Sequence, residues 1–202
     1  MLKLGPHNNR LLYDVHADIT ADPQTIFAEL ESLDWQYTSG FPKRAFVRTD
    51  GVNADNLSQT PNLKFICDSI RAQKTELMTY LFENVTFTEV PWMGVSLEQL
   101  LNNTGFLCDL IRDDTGWMTG VHIDHRASIA TGMLFFEPTD DEKKSTYFYT
   151  TESREKEKRM SCKFGEGWYA VNTHRSWHTG GNMGTDVRYS ITFSSFLSLP
   201  AN

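Results

Sequence analysis

The sequence LIRDDTGWMTGVHID, residues 110–124, contains the features from which the fold can be inferred. It begins with an apolar run typical of a strand, turns at Asp114-Thr115-Gly116 and ends in the pattern His-x-Asp. Side chains at positions i and i+2 of a strand point to the same face, so a strand over residues 120–124 would direct His122 and Asp124 towards one metal ion. The stretch therefore predicts β-structure that carries two metal ligands.

A third metal ligand must come from a neighbouring strand, and His178 is the candidate. Two imidazoles and one carboxylate suit Fe(II) and leave one face of the metal open for substrates. His174, four residues earlier, competes for the same position. Ten residues after His178 comes Arg188, followed by Ser190 in the pattern Arg-x-Ser. Because an arginine can hold a carboxylate through a two-pronged hydrogen bond, this spacing predicts a carboxylate-binding site beside the metal.

The second half of the chain, from about residue 105, consists of short apolar runs separated by turn residues. Many short strands separated by turns are typical of a sandwich or barrel. The charged run at residues 152–159 predicts a solvated hairpin loop. The candidate strands are residues 106–111, 120–124, 131–136, 146–150, 160–164, 168–173 and 187–195.

The first half of the chain is mainly helical. Asp22-Pro23 is an N-cap followed by proline at the first helical position, and Thr60-Pro61 repeats this signal. Apolar residues at helical spacing continue the second helix to about Phe82. Residues 96–99 form a capping box that opens a short third helix, and the alternating residues 43–49 predict a strand. Because helices precede the strands, we expect an α+β fold with helices backing one sheet.

Composition and charge narrow the class of protein. At 202 residues, with 40% hydrophobic and 22% charged residues, the chain is expected to form one globular domain. The net charge of −7 argues against bulk binding to nucleic acid or anionic membranes. We see no secretory signal and no apolar stretch near the roughly 20 residues of a spanning helix. Three scattered cysteines suit a reducing compartment, so a cytoplasmic location is expected.

Four stretches within residues 105–196 resemble the catalytic core of the Fe(II)/2-oxoglutarate-dependent dioxygenases, in the prolyl 4-hydroxylase-like branch. Residues 110–124 resemble the strand and glycine turn that lead into His-x-Asp, and GMLFF, residues 132–136, resembles the strand that follows. NTHRSWHTGG, residues 172–181, resembles the segment that bears the distal histidine, which favours His178 over His174. RYSITF, residues 188–193, resembles the strand that clamps the co-substrate.

The resemblance implies a double-stranded β-helix, a jelly-roll or cupin-like barrel with supporting N-terminal helices. One domain would span residues 1–202, with residues 1–104 as mainly helical support and outer strands and residues 105–196 as the catalytic core. Carried over to this chain, the resemblance implies that His122, Asp124 and His178 bind Fe(II) and act in catalysis. Arg188 would hold the far carboxylate of 2-oxoglutarate, and Ser190 would be a second donor to it.

The activity implied by the resemblance is that of an oxidoreductase. It would use O2 and 2-oxoglutarate as co-substrates, release succinate and CO2, and hydroxylate a protein side chain, with ascorbate needed for sustained activity. A peptide or small-molecule substrate stays open, whereas no membrane partner is expected and nucleic acid is disfavoured. Two alternatives remain: a non-catalytic β-barrel module that binds a metal or ligand, and a structural jelly roll in which the histidines are incidental.

Other candidate residues have structural interpretations. His16-Ala17-Asp18 is a second His-x-Asp pattern, but no distal histidine and Arg-x-Ser pair follow it at a suitable distance, so we interpret it as part of a turn. His125 and Arg126 are expected at the rim of the site or as uninvolved surface residues. The aromatic residues are expected to be mainly core, with some as pocket walls: Trp92, Trp117, Tyr147, Tyr149 and Trp168.

Overall fold

The computed structural model describes residues 2–6, 11–85, 95–125, 127–137, 142–160, 162–173 and 175–197. Within these residues thirteen strands form three antiparallel sheets. The strands are β1 (Leu2–Pro6), β2 (Leu12–Ala17), β3 (Gln36–Thr38), β4 (Phe41–Val47), β5 (Thr104–Asp113), β6 (Trp117–Met118), β7 (Ser128–Phe135), β8 (Thr146–Tyr149), β9 (Lys158–Met160), β10 (Glu166–Val171), β11 (Trp177–Thr179), β12 (Gly181–Asn182) and β13 (Arg188–Leu197).

The main sheet has eight strands in the order β1-β2-β10-β7-β13-β5-β4-β3. A smaller sheet, β11-β8-β9, packs against one face of it through a shared apolar cluster that contains Met133 and Trp168 of the main sheet and Phe148 and Met160 of the smaller sheet. The two-stranded ribbon β12-β6 completes the arrangement. These packed antiparallel sheets confirm the predicted α+β class and form a double-stranded β-helix.

Helices cover the other face of the main sheet, as predicted. They are α1 (Pro23–Glu31), α2 (Pro61–Ala72), α3 (Lys74–Asn84) and α4 (Leu97–Asn102), with a short 3-10 helix at Gly51–Leu57. The predicted caps are present: the Asp22 carboxylate accepts a hydrogen bond from the Thr25 amide, and Ser96 and Gln99 form both bonds of a capping box.

The predicted second helix is interrupted at Gln73, which separates α2 from α3. The Gln73 side chain is buried and holds the backbone of β1, since its Oε1 accepts from the Leu2 amide at 2.6 Å and its Nε2 donates to the Leu2 carbonyl at 3.1 Å. Apolar spacing alone does not reveal this break, because Leu63 and Leu77 on either side of it are both buried.

Strand β13 shows how the main sheet separates its two faces. Tyr189, Ile191 and Phe193 belong to the large apolar core shared with the helices. Arg188, Ser190 and Thr192 alternate with them and therefore point to the opposite face, towards the smaller sheet. The interior between the sheets thus receives a row of polar side chains from a central strand, which is unusual unless a ligand uses them.

Some predicted strands differ from the structure. Residues 120–124 are irregular, with only one isolated bridge at His122, and the predicted strand at 160–164 overlaps β9 only at Met160. Strands β1 and β2 were not predicted, although they extend the main sheet at one edge. No helix in the described part of the chain is long and apolar enough to cross a membrane.

Candidate metal and co-substrate site

The three predicted metal ligands lie close together in the structure. His178 is on β11, and His122 is joined to it by two backbone hydrogen bonds of 2.9 and 2.8 Å, one in each direction. One ligand atom from each of His122, Asp124 and His178 lies within 4.8 Å of the others. The strand geometry predicted for His122 and Asp124 is wrong, because Asp124 lies in a loop; the bridge to β11 and the loop that follows bring the carboxylate to the imidazoles.

Both imidazoles are oriented by backbone carbonyls. His122 Nδ1 lies 2.7 Å from the Gly120 carbonyl oxygen, and His178 Nδ1 lies 3.0 Å from that of Ser176. Because a carbonyl oxygen only accepts, each Nδ1 carries the proton and each Nε2 keeps a lone pair for a metal. Burial lowers the pKa of His178, an effect that outweighs the attraction of Asp124, and so favours the neutral imidazole that a metal requires.

Asn172 fixes the loop that carries Asp124, a role that the sequence analysis missed. Its buried Nδ2 donates to the carbonyl oxygens of Asp124, His125 and Ser128 at 3.2, 2.9 and 3.2 Å. A single amide therefore ties three carbonyl groups of the loop at residues 124–128, beside the candidate metal ligands, to the end of β10. The only available signal was that Asn172 opens the histidine-bearing segment.

We expect Asn172→Asp to weaken Mn(II) binding by about 10- to 100-fold, the usual cost of losing a group that orients a metal ligand. The substitution keeps the shape of the side chain but replaces the Nδ2 donor with an oxygen that the three carbonyls repel. Titration of Mn(II) into the variant measures the effect, with thermal denaturation in chelator as the control for folding. Wild-type Mn(II) affinity in a folded variant would contradict the role of Asn172.

A cavity of about 130 Å³ is lined by both the candidate metal ligands and Arg188. It lies between the two sheets, so that β4, β5, β7, β10 and β13 form one wall and β8 and β11 the other. Trp168 lines it and is held in place by a hydrogen bond from its Nε1 to Thr146 Oγ1 at 3.2 Å. The lining residues are Arg44, Ile111, Thr119, His122, Asp124, Thr131, Met133, Thr146, Trp168, His178, Gly180, Arg188 and Thr192.

Arg188 is 2% exposed and only partly satisfied by the protein. Its Nη2 donates to Asp113 Oδ2 at 2.5 Å and its Nη1 to the Lys144 carbonyl oxygen at 2.7 Å, while the guanidinium lies 5.4 Å from the centre of the Phe135 ring. Its Nε has no hydrogen-bond partner among the described residues, and neither has the buried Ser190 Oγ. Both residues lie on the same face of β13, and a buried polar atom without a partner is uncommon in a folded protein.

Arg188 and His178 lie on different sheets, since β11 belongs to the smaller sheet and β13 to the main sheet. Arg188 therefore faces His178 across the barrel. Residues 179–186 carry the chain from one sheet to the other, and Gly181 allows the close approach there, since a Cβ atom would lie 2.2 Å from the Trp117 carbonyl oxygen.

The remaining candidates lie apart from the metal ligands or outside the described residues. His16 is an exposed residue of β2 with its Nδ1 3.8 Å from Glu166, and Asp18 pairs with Lys3 at 3.5 Å. His125 is exposed, and its Nδ1 accepts a hydrogen bond from the Ala127 amide. Three predicted positions fall outside the residues that the structure describes: Trp92, Arg126 and His174.

Comparison with known proteins gives structural matches only. No protein-family model and no curated protein matches the sequence. A prolyl hydroxylase from Trichoplax adhaerens, solved in complex with a hypoxia inducible factor oxygen degradation domain peptide fragment, is similar with a TM-score of 0.57 and 13% identity, over 94% of this chain and 84% of its own.

Two further solved structures show the same similarity. An oxidoreductase of the 2OG-Fe(II) oxygenase family from Burkholderia pseudomallei has a TM-score of 0.58 at 11% identity, over 92% of this chain and 84% of its own. HygX from Streptomyces hygroscopicus, with nickel and 2-oxoglutarate bound, has a TM-score of 0.52 at 8% identity, over 94% and 84%. The chain therefore has the fold of the 2-oxoglutarate and Fe(II) oxygenases, with a candidate His-x-Asp and His metal site.

Proposed function

We propose that this protein is an Fe(II)- and 2-oxoglutarate-dependent oxygenase that hydroxylates a protein side chain and releases succinate and CO2. The observation that carries the proposal is one cavity lined both by a two-histidine, one-carboxylate cluster and by a buried, partly unpaired arginine. A structural jelly roll has no use for either group in its interior, where an unpaired polar atom is costly.

The residues present fit a divalent metal. His122, Asp124 and His178 are two imidazoles and one carboxylate, the set that suits non-haem Fe(II), and three protein ligands would leave coordination positions for a co-substrate and oxygen. Both imidazoles are presented through Nε2, as their Nδ1–carbonyl bonds require. The partial exposure of His122 and Asp124 gives a substrate access to the metal position.

The same cavity fits a dicarboxylate. In our proposal Arg188 Nε and Ser190 Oγ hold the far carboxylate of 2-oxoglutarate, and the opposite end of the molecule reaches the metal. The charges support this assignment: Arg44 and Arg188 balance Asp113 and Asp124, so a divalent cation and a dianion together leave the site neutral. A cavity without this balance would bind its ligand at a large cost in desolvation.

When bound, iron supplies the oxidative decarboxylation of 2-oxoglutarate and the coupled hydroxylation of the substrate. The chain itself positions and encloses the reactants. Arg188 and Ser190 orient the co-substrate, and Met133, Phe148 and Trp168 form the apolar surroundings that exclude bulk water from it. His178 is kept neutral by burial, so it competes poorly for protons and remains a ligand.

A protein side chain, with prolyl hydroxylation as the specific expectation, is proposed as the substrate by analogy with the Trichoplax prolyl hydroxylase, which was solved with a peptide. Fold similarity is a weak guide to substrate, so the test has to be a screen. The cytoplasmic location, the O2 requirement and the benefit of ascorbate are part of the same proposal.

The deciding experiment measures succinate released from 2-oxoglutarate under air with Fe(II) and ascorbate, with and without a panel of proline-containing peptides. We expect slow release without peptide and faster release with a substrate peptide. A protein that binds Mn(II) and 2-oxoglutarate but releases no succinate would be the non-catalytic binding module. A protein whose melting temperature does not rise with Fe(II) or Mn(II) would be the structural jelly roll.

A further inference from the structure

Three charged residues form a row across three neighbouring strands of the main sheet. In the strand registers, Arg44 of β4 and Arg188 of β13 are both paired with Asp113 of β5. Directly paired residues share a face, so all three side chains point into the barrel. Arg44 and Arg188 also line the cavity. The N-terminal half of the chain, from which sequence analysis took no functional residue, thus contributes a cation to the proposed co-substrate site.

Asp113 is shared by the two arginines. Arg44 holds it with both prongs, from Nε to Oδ1 at 2.5 Å and from Nη2 to Oδ2 at 2.9 Å, and Arg188 Nη2 reaches Oδ2 at 2.5 Å. The Asp113 side chain is fully buried, and burial alone would raise its pKa. The two guanidinium groups more than offset this effect and lower the pKa, so Asp113 is a carboxylate.

The charge count of this row has a consequence for ligand binding. Two guanidinium groups and one carboxylate leave one net positive charge beside the cavity. Without Arg44, Asp113 would pair with Arg188 alone and neutralise it, so that an incoming carboxylate would meet a neutral pair. With Arg44 in place, Asp113 is already balanced, and Arg188 keeps its charge and its unpaired Nε for the ligand.

We infer that Arg44 is a positioning residue for the co-substrate, which acts by balancing Asp113 so that Arg188 offers a net positive charge to the far carboxylate of 2-oxoglutarate. The inference rests on the proposed function but adds a residue and a role to it. Arg44 does not need to touch 2-oxoglutarate, because its Nε and Nη2 are both directed to Asp113.

The chain offers a control residue beside the same two strands. Arg48 follows β4 directly and pairs with the buried Asp109 of β5 through its Nη1 at 2.5 Å. This pair also links an arginine to a buried aspartate across the sheet, but neither residue belongs to the described lining of the cavity. A change at Arg48 therefore removes an arginine–aspartate pair beside the same strands but away from the cavity, where no effect on the co-substrate is expected.

The experiment is calorimetric titration of 2-oxoglutarate into the Mn(II)-loaded protein without oxygen. Arg44→Gln keeps an N–H donor for Asp113 but removes the charge, and we expect the dissociation constant to rise about tenfold or more. Arg44→Lys keeps the charge and should bind within about threefold of wild type. Arg48→Gln should bind like wild type. In succinate assays Arg44→Gln should raise KM for 2-oxoglutarate far more than it lowers kcat.

The double variant Arg44→Gln/Asp113→Asn provides the sharpest test. It removes one charge of each sign, which leaves Arg188 charged, so 2-oxoglutarate affinity should return most of the way to wild type. If Arg44 had a purely structural role or contacted the ligand directly, the double variant would not recover affinity. A double variant without recovered 2-oxoglutarate affinity would therefore overturn the inference. So would an Arg48→Gln variant that is weakened as much as Arg44→Gln.

Failure of the proposed function is distinguishable from failure of this inference. If the wild-type, Mn(II)-loaded protein does not bind 2-oxoglutarate at all, the function is wrong. If the wild type binds and Arg44→Gln binds equally well, only the role of Arg44 is wrong. Thermal denaturation of each variant measures its folding. If Arg44→Gln does not fold, Arg44→Lys and the double variant still test the role of Arg44. A double variant that folds but binds no 2-oxoglutarate contradicts the charge argument.

Discussion

Asp124→Ala is expected to abolish Fe(II)-dependent succinate release and to weaken Mn(II) binding by more than about a hundredfold, beyond the loss usual for a residue that only supports a ligand. Asp124 is the single carboxylate in the described three-residue cluster, and without it two neutral imidazoles face a divalent cation. Titration of Mn(II), followed by the signal of the free ion, measures the binding, and 2-oxoglutarate turnover measures the activity.

The controls for this prediction are within the chain. Asp18→Ala removes the acidic residue of the other His-x-Asp pattern, which is exposed and pairs with Lys3, and it should leave metal binding unchanged. His178→Ala should eliminate activity, whereas His174→Ala should leave most of it. Full activity of Asp124→Ala would remove the metal centre from the proposed function, and anomalous scattering that connects Mn(II) to His174 would overturn the choice of His178.

Much of the fold follows from local sequence patterns. The caps at Asp22 and Ser96 start α1 and α4 as predicted, because a cap is made within three residues. Strand β13 was predicted as residues 187–195 from its alternation, and the structure places its odd-numbered residues against the helices and its even-numbered ones inside the barrel. Such patterns are readable because the periodicity of a strand records which face is buried.

Features made by distant residues were not readable in the same way. The pairing of β2 with β10 joins segments more than a hundred residues apart, and nothing in residues 12–17 specifies that partner. Asp113 lies within the stretch that decided the fold, but its role depends on Arg44, which is 69 positions away. The sequence pattern singled out His122, Asp124 and His178, which cluster in the structure, but it did not predict their backbone geometry of a bridge and a loop.

The burial of Arg188 explains why sequence could assign it a ligand but not its protein partners. An arginine close in sequence to a metal-binding motif indicates a carboxylate ligand. The structure adds that Arg188 Nη2 and Nη1 already donate hydrogen bonds to Asp113 and to the Lys144 carbonyl oxygen. The unpaired Nε is the part that remains for a ligand. The sequence thus predicts which kind of ligand Arg188 binds, and packing determines how many of its hydrogen-bond donors remain for that ligand.

Arg188→Ala is expected to weaken 2-oxoglutarate binding by about a hundredfold or more while Mn(II) affinity stays close to wild type. Removal of one member of a buried, charge-paired contact costs roughly 3–5 kcal/mol. The fold should survive because Asp113 keeps its two-pronged bond to Arg44. Arg188→Lys should recover only part of the affinity, since lysine keeps the charge but loses the planar fork.

Ser190→Ala should cost less free energy of 2-oxoglutarate binding, about 1.5–3 kcal/mol, the usual value for one hydrogen bond to a charged group. Because its buried Oγ has no partner within the described part of the chain, the substitution removes no protein hydrogen bond, and the melting temperature without ligand should not fall. Anaerobic titration of 2-oxoglutarate into the Mn(II)-loaded variants measures all three constants in one series. An Arg188→Ala variant that binds 2-oxoglutarate as tightly as the parent would exclude the carboxylate site, and the charge balance that supports the oxygenase assignment would no longer hold.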